Sequence, residues 1–161
     1  ELNYPTILIG SSLGGWLSLL LLKKIKKKIT GFIGIGTAPD FTKYIFEELT
    51  EDQKKLFKIQ NFVSFKSEYE DSNFVFTKKF FKDAEKNFIL EKKIISSAKI
   101  VLLYGNFDTS VKIESQLKIL DALGSSDCKL IIVKGSDHRM SNNKDLSLIK
   151  KTLKNLIKDS L

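Results

Sequence analysis

The sequence predicts an α/β domain, a three-layer α/β/α sandwich in which a parallel sheet lies between two layers of helices. Four short runs rich in Ile, Val and Leu occur at residues 6–10, 29–36, 99–104 and 129–134. Strands that are buried on both faces have this near-continuous apolar character. Helical patterns separate the runs, and alternation of strands with helices is typical of βαβ units, whose strands are parallel.

Three segments between and after these runs are predicted to be helices. Residues 14–28 are apolar at first and then basic, an order that places cations at the negative end of a helix dipole. Residues 111–123 have apolar side chains at helical spacing and stop at Gly124, a typical C-cap residue. Residues 146–161 form an amphipathic stripe of Leu146, Ile149, Leu153, Leu156 and Ile157.

Residues 40–97 interrupt the alternation, because the segment is too long for one crossover helix with its turns. It holds 12 of the 17 aromatic residues of the chain. Thr50 and Gln53 have the spacing of a capping box, so we expect two or three helices here. Two interpretations are compatible: extra helices with a small core of their own, or a lid with an aromatic face. The predicted core is therefore 1–39 with 98–161.

Composition and charge exclude several classes of protein. A chain of 161 residues with 42% hydrophobic and 29% charged residues is long enough and apolar enough to fold as a domain. The net charge of +8 comes mostly from lysines spread along the chain, so we interpret it as solvated surface and expect no nucleic-acid partner. The apolar stretch 13–22 is too short to span a membrane. The single cysteine, Cys128, excludes an intrachain disulfide and a CxxC site, and we expect it to act as a buried small hydrophobe.

The first chemical motif is Gly10-Ser11-Ser12-Leu13-Gly14, a GxSxG between a predicted strand and a predicted helix. In that context the motif indicates a nucleophile elbow, a sharp turn that lifts the Ser12 hydroxyl clear of the sheet. Gly10 and Gly14 are expected to leave room where a Cβ would strike the strand or the helix. The Leu13 N–H is then one donor of an oxyanion hole. The alternative is a Gly/Ser-rich turn without chemistry.

The second element is His138, which follows a predicted strand and precedes the last helix. It is the single histidine of the chain, and imidazole suits a base that takes the proton of a serine hydroxyl. A histidine in a loop is often an ordinary surface residue. Its place downstream of an elbow favours the catalytic interpretation here.

The third element is an acid that orients the histidine. Asp108 follows a predicted strand and lies in the order Ser, Asp, His along the chain. Asp40 also follows a strand and stays an alternative. Asp137 is disfavoured, because neighbours in the sequence seldom have side chains placed to bond each other.

The longer strings Gly-Ser-Ser-Leu-Gly-Gly-Trp at 10–16 and Ser-Asp-His-Arg-Met at 136–140 carry a resemblance. From residue 6 onward the chain resembles the α/β-hydrolase superfamily. Within it the chain is similar to the branch of serine esterases that includes the mitochondrial depalmitoylating thioesterase and acyl-glucuronide esterase. One departure is Tyr104, where a His-Gly pair often precedes the acid of the superfamily; Gly105 and Asp108 keep their spacing.

The resemblance implies hydrolysis of acyl esters or thioesters by Ser12, His138 and Asp108, without metal or cofactor. The substrate is expected to be a small molecule or an acylated protein, with residues 40–97 as a helical lid over an acyl slot. The location is expected to be cytoplasmic, or mitochondrial in a eukaryote. Open alternatives are an acyltransferase or peptidase on the same triad, and a non-catalytic interaction domain on this scaffold.

The resemblance also implies that the chain is the C-terminal part of the fold, with about the last four of eight strands. A second oxyanion donor is then expected upstream of Glu1. We therefore expect residues 1–161 alone to be unstable or inactive, because loss of one such donor costs about 100- to 1000-fold in rate.

Overall fold

The computed structural model describes residues 4–25, 28–66, 73–125 and 127–160, and it divides the chain into two compact units. The first unit is formed by Glu1–Pro39 and Ile89–Leu161, and the second by Asp40–Phe88. The predicted insertion is therefore a unit of its own that ends at Phe88 rather than at residue 97. Its role as a lid stays a prediction.

The first unit contains a four-stranded parallel sheet. The strands are β1 (Thr6–Ser11), β2 (Ile29–Ile35), β5 (Lys99–Gly105) and β6 (Cys128–Val133), in the spatial order β1-β2-β5-β6. All three neighbouring pairs are parallel. Each predicted strand is present, and its ends differ by a residue or two at most, as hydrogen-bond assignment commonly produces. The predicted α/β fold class is confirmed.

Three helices accompany this sheet: α1 (Leu13–Lys24), α5 (Ile113–Ala122) and α6 (Asn143–Ser160). Two predicted boundaries were wrong. Helix α1 ends at Lys24 rather than at residue 28. Residues 26 and 27 of the predicted helix lie outside the described residues. Helix α6 begins at Asn143 rather than at 146, because the Asn142 side chain accepts a hydrogen bond from the Asp145 N–H at 3.0 Å and caps an earlier turn.

Buried side chains of the first unit include Leu19 of α1 and Ile119 of α5, and one part of the core lies between the sheet and helix α6. It is an apolar cluster of Ile33, Ile35, Leu103, Met140 and Leu156, all less than 10% exposed. These side chains come from β2, β5, the loop after β6 and α6. Burial of each large aliphatic side chain contributes about 1.5–3 kcal/mol. The carboxyl ends of the strands are thereby held in fixed relation to one another.

The second unit contains α2 (Phe41–Glu48), α3 (Glu51–Gln60) and α4 (Lys78–Glu85). The capping box at the start of α3 is confirmed: the Gln53 N–H donates to Thr50 Oγ1, and Gln53 Oε1 accepts from the Thr50 N–H. An antiparallel pair, β3 (Phe62–Lys66) with β4 (Asn73–Thr77), was not predicted. Only helices were expected in this segment, because its aromatic content alone does not fix the period of the chain.

The small core predicted for this segment is present. Leu49, Phe57 and Val63 are buried, and Phe65, Phe76 and Phe81 pack against them. The Phe76 ring lies within 5.5–6.4 Å, centroid to centroid, of the rings of Phe41, Phe65, Phe80 and Phe81. Tilted and edge-to-face ring pairs of this kind add about 0.5–1.5 kcal/mol each beyond burial.

Candidate active site

Ser12 occupies the turn between β1 and α1 with a backbone conformation that is rare for a residue with a side chain. Its φ is 51° and its ψ is −119°. Strained conformations of this kind cost about 1–3 kcal/mol and persist only where the surroundings fix them. The Ser12 N–H donates to the Ile35 carbonyl at 2.9 Å, and the Ser12 carbonyl accepts from the Ala38 N–H at 3.1 Å. The turn is therefore held on both sides by the end of β2 and the loop that follows it.

Glycines make this turn possible, although not at both expected positions. A Cβ at Gly10 would lie 2.4 Å from the Gly14 carbonyl oxygen, and one at Gly15 would lie 2.5 Å from Thr37 Oγ1. At Gly14 a Cβ would meet nothing within 4 Å among the described atoms, so the expectation of crowding there was wrong. The close approach is made at Gly10 of β1, which faces the first turns of α1, and at Gly15 of α1, which faces Thr37 in the loop after β2.

Asp108 and His138 lie in the loops after β5 and β6, and the structure brings their side chains together. Asp108 Oδ2 is 2.8 Å from His138 Nδ1. The Asp108 side chain is 0% exposed and that of His138 is 11% exposed. An ionised carboxylate only accepts hydrogen bonds, so Nδ1 donates to it and Nε2 is left as the acceptor. This is the orientation that a catalytic imidazole requires.

The second oxygen of Asp108 is held by the backbone of its own loop. Asp108 Oδ1 accepts from the Ser110 N–H at 2.9 Å and from the Val111 N–H at 2.8 Å. Two amide donors on one oxygen fix the plane of the carboxylate and direct the other oxygen to the imidazole.

The loop that carries His138 is fixed by neighbouring carboxylates. Asp137 Oδ1 accepts from the N–H groups of Arg139 and Met140 at 3.1 and 2.9 Å, so Asp137 supports its own turn. Asp145 is 0% exposed and accepts from the Ser136 hydroxyl at 2.6 Å. The Ser136 carbonyl in turn accepts from the Phe107 N–H at 2.9 Å, which ties the histidine loop to the acid loop.

Gly36, at the end of β2, lies beside both side chains, and the sequence analysis did not identify it. Its φ is +48°, and a Cβ built on it would lie 2.9 Å from His138 Nδ1 and 3.2 Å from Asp108 Oδ2. Its N–H donates to the Leu103 carbonyl at 3.0 Å. The residue before it, Ile35, binds the Ser12 amide, so Gly36 lies between the elbow and the Asp108–His138 pair. The signal in the sequence that could have identified Gly36 is a glycine at the end of the apolar run 29–36.

The alternative acid, Asp40, belongs to the second unit. It precedes α2 with φ 57° and is 4% exposed. The carboxylate found on His138 Nδ1 is that of Asp108.

Among the described residues of the first unit, Tyr104 and Cys128 have perturbed pKa values. Burial, followed by the charges of Asp108 and Glu114, raises the pKa of the Tyr104 hydroxyl above 10.0. Burial, followed by the charge of Asp127, raises the pKa of the Cys128 thiol from 9.0 to about 11. Cys128, which is partly buried, is therefore a poor nucleophile at neutral pH.

Within the described ranges, no three His, Cys, Asp or Glu side chains are grouped as they would be to bind a metal ion. No helix there is long and apolar enough to cross a membrane. Leu13 is the first residue of α1. The first N–H groups of a helix lack intrahelical acceptors, so the Leu13 N–H is suited to a ligand oxygen.

The chain is similar to named proteins over nearly its whole length, although no family model matches it. It is 34% identical over 154 residues to the mitochondrial palmitoyl-protein thioesterase ABHD10 of Homo sapiens, which covers 95% of this chain and 50% of that protein. The protein of the same name from Mus musculus is 32% identical over 154 residues, covering 95% and 52%. The chain thus spans about half the length of the curated relatives it matches.

Solved structures give the same result. Mouse alpha/beta hydrolase domain-containing protein 10 matches with a TM-score of 0.88 and 32% identity, covering 98% of this chain and 63% of that one. A putative hydrolase from Agrobacterium vitis S4 matches with a TM-score of 0.88 and 27% identity, covering 94% and 60%. The chain has the α/β-hydrolase fold and is similar over nearly its whole length to the ABHD10 thioesterases.

Proposed function

We propose that this chain carries the catalytic triad of a serine hydrolase that cleaves acyl esters or thioesters. The observation that carries the proposal is the buried Asp108 carboxylate, 2.8 Å from His138 Nδ1 and fixed by two backbone amides. The strained Ser12 turn lies at the same edge of the sheet, where the carboxyl ends of the parallel strands meet. Active sites of open α/β folds are found at that edge.

The chemistry proceeds in two steps. Ser12 Oγ attacks the acyl carbonyl while His138 Nε2 takes its proton, and the imidazolium then protonates the departing alcohol or thiol. A water molecule attacks the acyl-enzyme with His138 again as the base, which releases the acid and restores Ser12. Asp108 holds the imidazole tautomer and stabilises the imidazolium.

Negative charge on the carbonyl oxygen must be stabilised in both steps. The Leu13 N–H, at the N-terminus of α1, is proposed as one donor. By resemblance to the superfamily, a second donor is expected in a part of the parent protein outside residues 1–161. Neither step requires a metal or cofactor.

The substrate is proposed to be a protein or small molecule that carries a long acyl chain in ester or thioester linkage. The relatives are palmitoyl-protein thioesterases by name, which supports this class. The net charge of +8 would favour an anionic leaving group. These relatives are mitochondrial proteins, which supports a mitochondrial location in a eukaryotic source.

The deciding experiment is covalent labelling of the full-length parent protein with a fluorophosphonate probe. We expect labelling of wild type and its loss in Ser12→Ala, while Ser11→Ala, the adjacent matched control, retains it. Labelling of wild type and S12A at equal rates, or no labelling of folded wild type, would contradict the proposal.

Product analysis separates hydrolysis from transfer. The full-length protein is incubated with palmitoyl and acetyl thioesters, with and without added alcohols, amines or peptides. We expect free acid as the product and faster turnover of the long chain. Acyl products on the added acceptors would assign an acyltransferase, cleavage of a peptide would assign a peptidase, and a flat chain-length profile would contradict the long-acyl substrate.

A further inference from the structure

Tyr104 is connected to the acid of the proposed triad through Val111. It occupies the position where the sequence departs from the common superfamily pattern. It lies near the end of β5 and is 5% exposed. Its hydroxyl donates to the Val111 carbonyl at 2.9 Å. The hydroxyl is buried and its partner lies on a different segment, so this contact is specific, because a buried polar group that is left unpaired is unfavourable.

Val111 connects this hydroxyl to the acid. Its carbonyl accepts from Tyr104, and its N–H donates to Asp108 Oδ1 at 2.8 Å. The other oxygen of Asp108 is paired with His138 Nδ1 at 2.8 Å. A continuous path of three hydrogen bonds therefore runs from β5, through the 108–111 turn, to the imidazole.

The electrostatics agree with this geometry. Burial is the largest cause of the raised pKa of Tyr104, and the negative charges of Asp108 and Glu114 add to it. The hydroxyl therefore keeps its proton at any pH where the enzyme would work. The protonated hydroxyl can donate to the Val111 carbonyl, in a place where a phenolate would repel the Asp108 carboxylate.

We propose that Tyr104 is a positioning residue for catalysis, whose hydroxyl fixes the 108–111 turn and thereby the Asp108 carboxylate against His138. The inference rests on the proposed function. The competing reading is that Tyr104 only stabilises the loop before α5, in which case its removal would affect stability without acting through Asp108.

A double-mutant cycle in the full-length protein separates these readings. The variants are Tyr104→Phe, which removes one oxygen atom, Asp108→Asn, and the double variant. Tyr4→Phe, at an exposed position, is the matched control. We expect Y104F to lower kcat for a long-chain acyl thioester by about 5- to 30-fold with KM nearly unchanged, the effect of one lost buried hydrogen bond. In the D108N background the same substitution should lower kcat no further.

Three results would overturn the inference, and two of them concern Y104F itself. One is a Y104F variant with wild-type kcat. The other is a loss in Y104F that multiplies fully with that of D108N. Tyr104→His keeps a hydrogen-bond donor at this position and should retain more activity than Y104F. The third contradicting result is an equal loss of activity in these two variants. If Y104F does not fold, Tyr104→His takes its place in the cycle. It is then compared with tyrosine at this position in the wild-type and D108N backgrounds, and we again expect no further loss in D108N.

The proposed function is tested separately by S12A in the same assays. If wild type turns over substrate and S12A does not, but Y104F is neutral, the inference fails alone. If S12A is as active as wild type, the proposed function fails.

Discussion

The two halves of the sheet, the acid–base side with β5 and β6 and the nucleophile side with β1, differ in their surroundings. On the acid–base side, β5 and β6 are neighbours and the loops after them are bonded to each other. The Asn106 N–H donates to the Val133 carbonyl at 3.1 Å, and the Gly135 N–H donates to Asn106 Oδ1 at 2.6 Å. On the nucleophile side, β1 pairs with β2 alone, so β1 is an end strand of the described sheet, as β6 is at the opposite end.

The nucleophile side also exposes apolar surface. Leu13, Leu17 and Leu21 recur every four residues along α1 and are 39%, 54% and 40% exposed, and Ile9 of β1 is 48% exposed. An apolar stripe beside an unpaired strand edge is typical of a surface that another segment covers. The contact between Asp108 and His138 is therefore formed and supported by described residues of the loops after β5 and β6. The surroundings of Ser12 include the exposed α1 stripe, and the curated relatives that the chain matches are about twice as long as the chain.

The largest expected effect tests the acid–base side. In the full-length protein, Asp108→Asn should lower kcat about 10,000-fold, because an amide in place of the carboxylate holds the imidazole in the wrong tautomer. Asp40→Asn, the control at the alternative acid, should cost far less. Steady-state kinetics on one thioester, with circular dichroism to verify folding, makes the measurement. A larger loss in D40N than in D108N would reverse the assignment.

The next effect tests the nucleophile side. Residues 1–161 alone should turn over thioesters at least about 100-fold more slowly than the full-length protein, because one oxyanion donor is expected to be absent. The isolated chain should also self-associate through the α1 stripe, and Leu17→Gln with Leu21→Gln should reduce that association.

Sedimentation velocity and turnover assays on both forms provide the readouts. Lys24→Gln, on the same helix, is a control that should leave association unchanged. A monomeric isolated chain with full-length activity would contradict the comparison drawn between the two sides of the sheet.

Gly36 lies where the two sides meet. Gly36→Ala should lower kcat about 100-fold in the full-length protein, because a Cβ 2.9 Å from His138 Nδ1 must displace the ring, and displacement of reacting groups by about 1 Å costs that much. Gly135→Ala is the matched control: its φ is +84°, but a Cβ there meets nothing within 4 Å. It therefore carries the backbone strain without the collision, and should lose stability with little loss of kcat. Equal kinetic losses in both variants would show that strain, not displacement of His138, is the cause.

The smallest effect lies far from the site, at the first residue of β6. The folded state raises the pKa of Cys128 from 9.0 to about 11, so the fold favours the neutral thiol. The corresponding stability is present below pH 9 and is lost as pH rises from 9 through about 11. Cys128→Ala should therefore flatten the alkaline fall in the free energy of unfolding over that window while kcat at neutral pH is unchanged. Urea titrations at several pH values measure this, and an equally steep fall in the variant would contradict it.

Much of the fold was accessible from local pattern. Four apolar runs and the helical spacings between them predicted the strands of the parallel sheet and their accompanying helices, because buried strands and amphipathic helices have different periods. The β3–β4 pair was missed. The burial of β3 alternates, but in β4 only Phe76 is half-buried. The pairing of Phe65 with Phe74 is not a property of either segment alone.

The sequence by itself determined the chemical groups and their order: Ser12 in an elbow between strand and helix, then Asp108, then His138. Tertiary structure decided which aspartate contacts the histidine, that Gly36 leaves room for the ring, and that Tyr104 reaches the turn which holds Asp108. The physical reason is that motifs and periods depend on neighbours along the chain. A hydrogen bond or a collision depends on which side chains the parallel strands deliver to the same edge of the sheet.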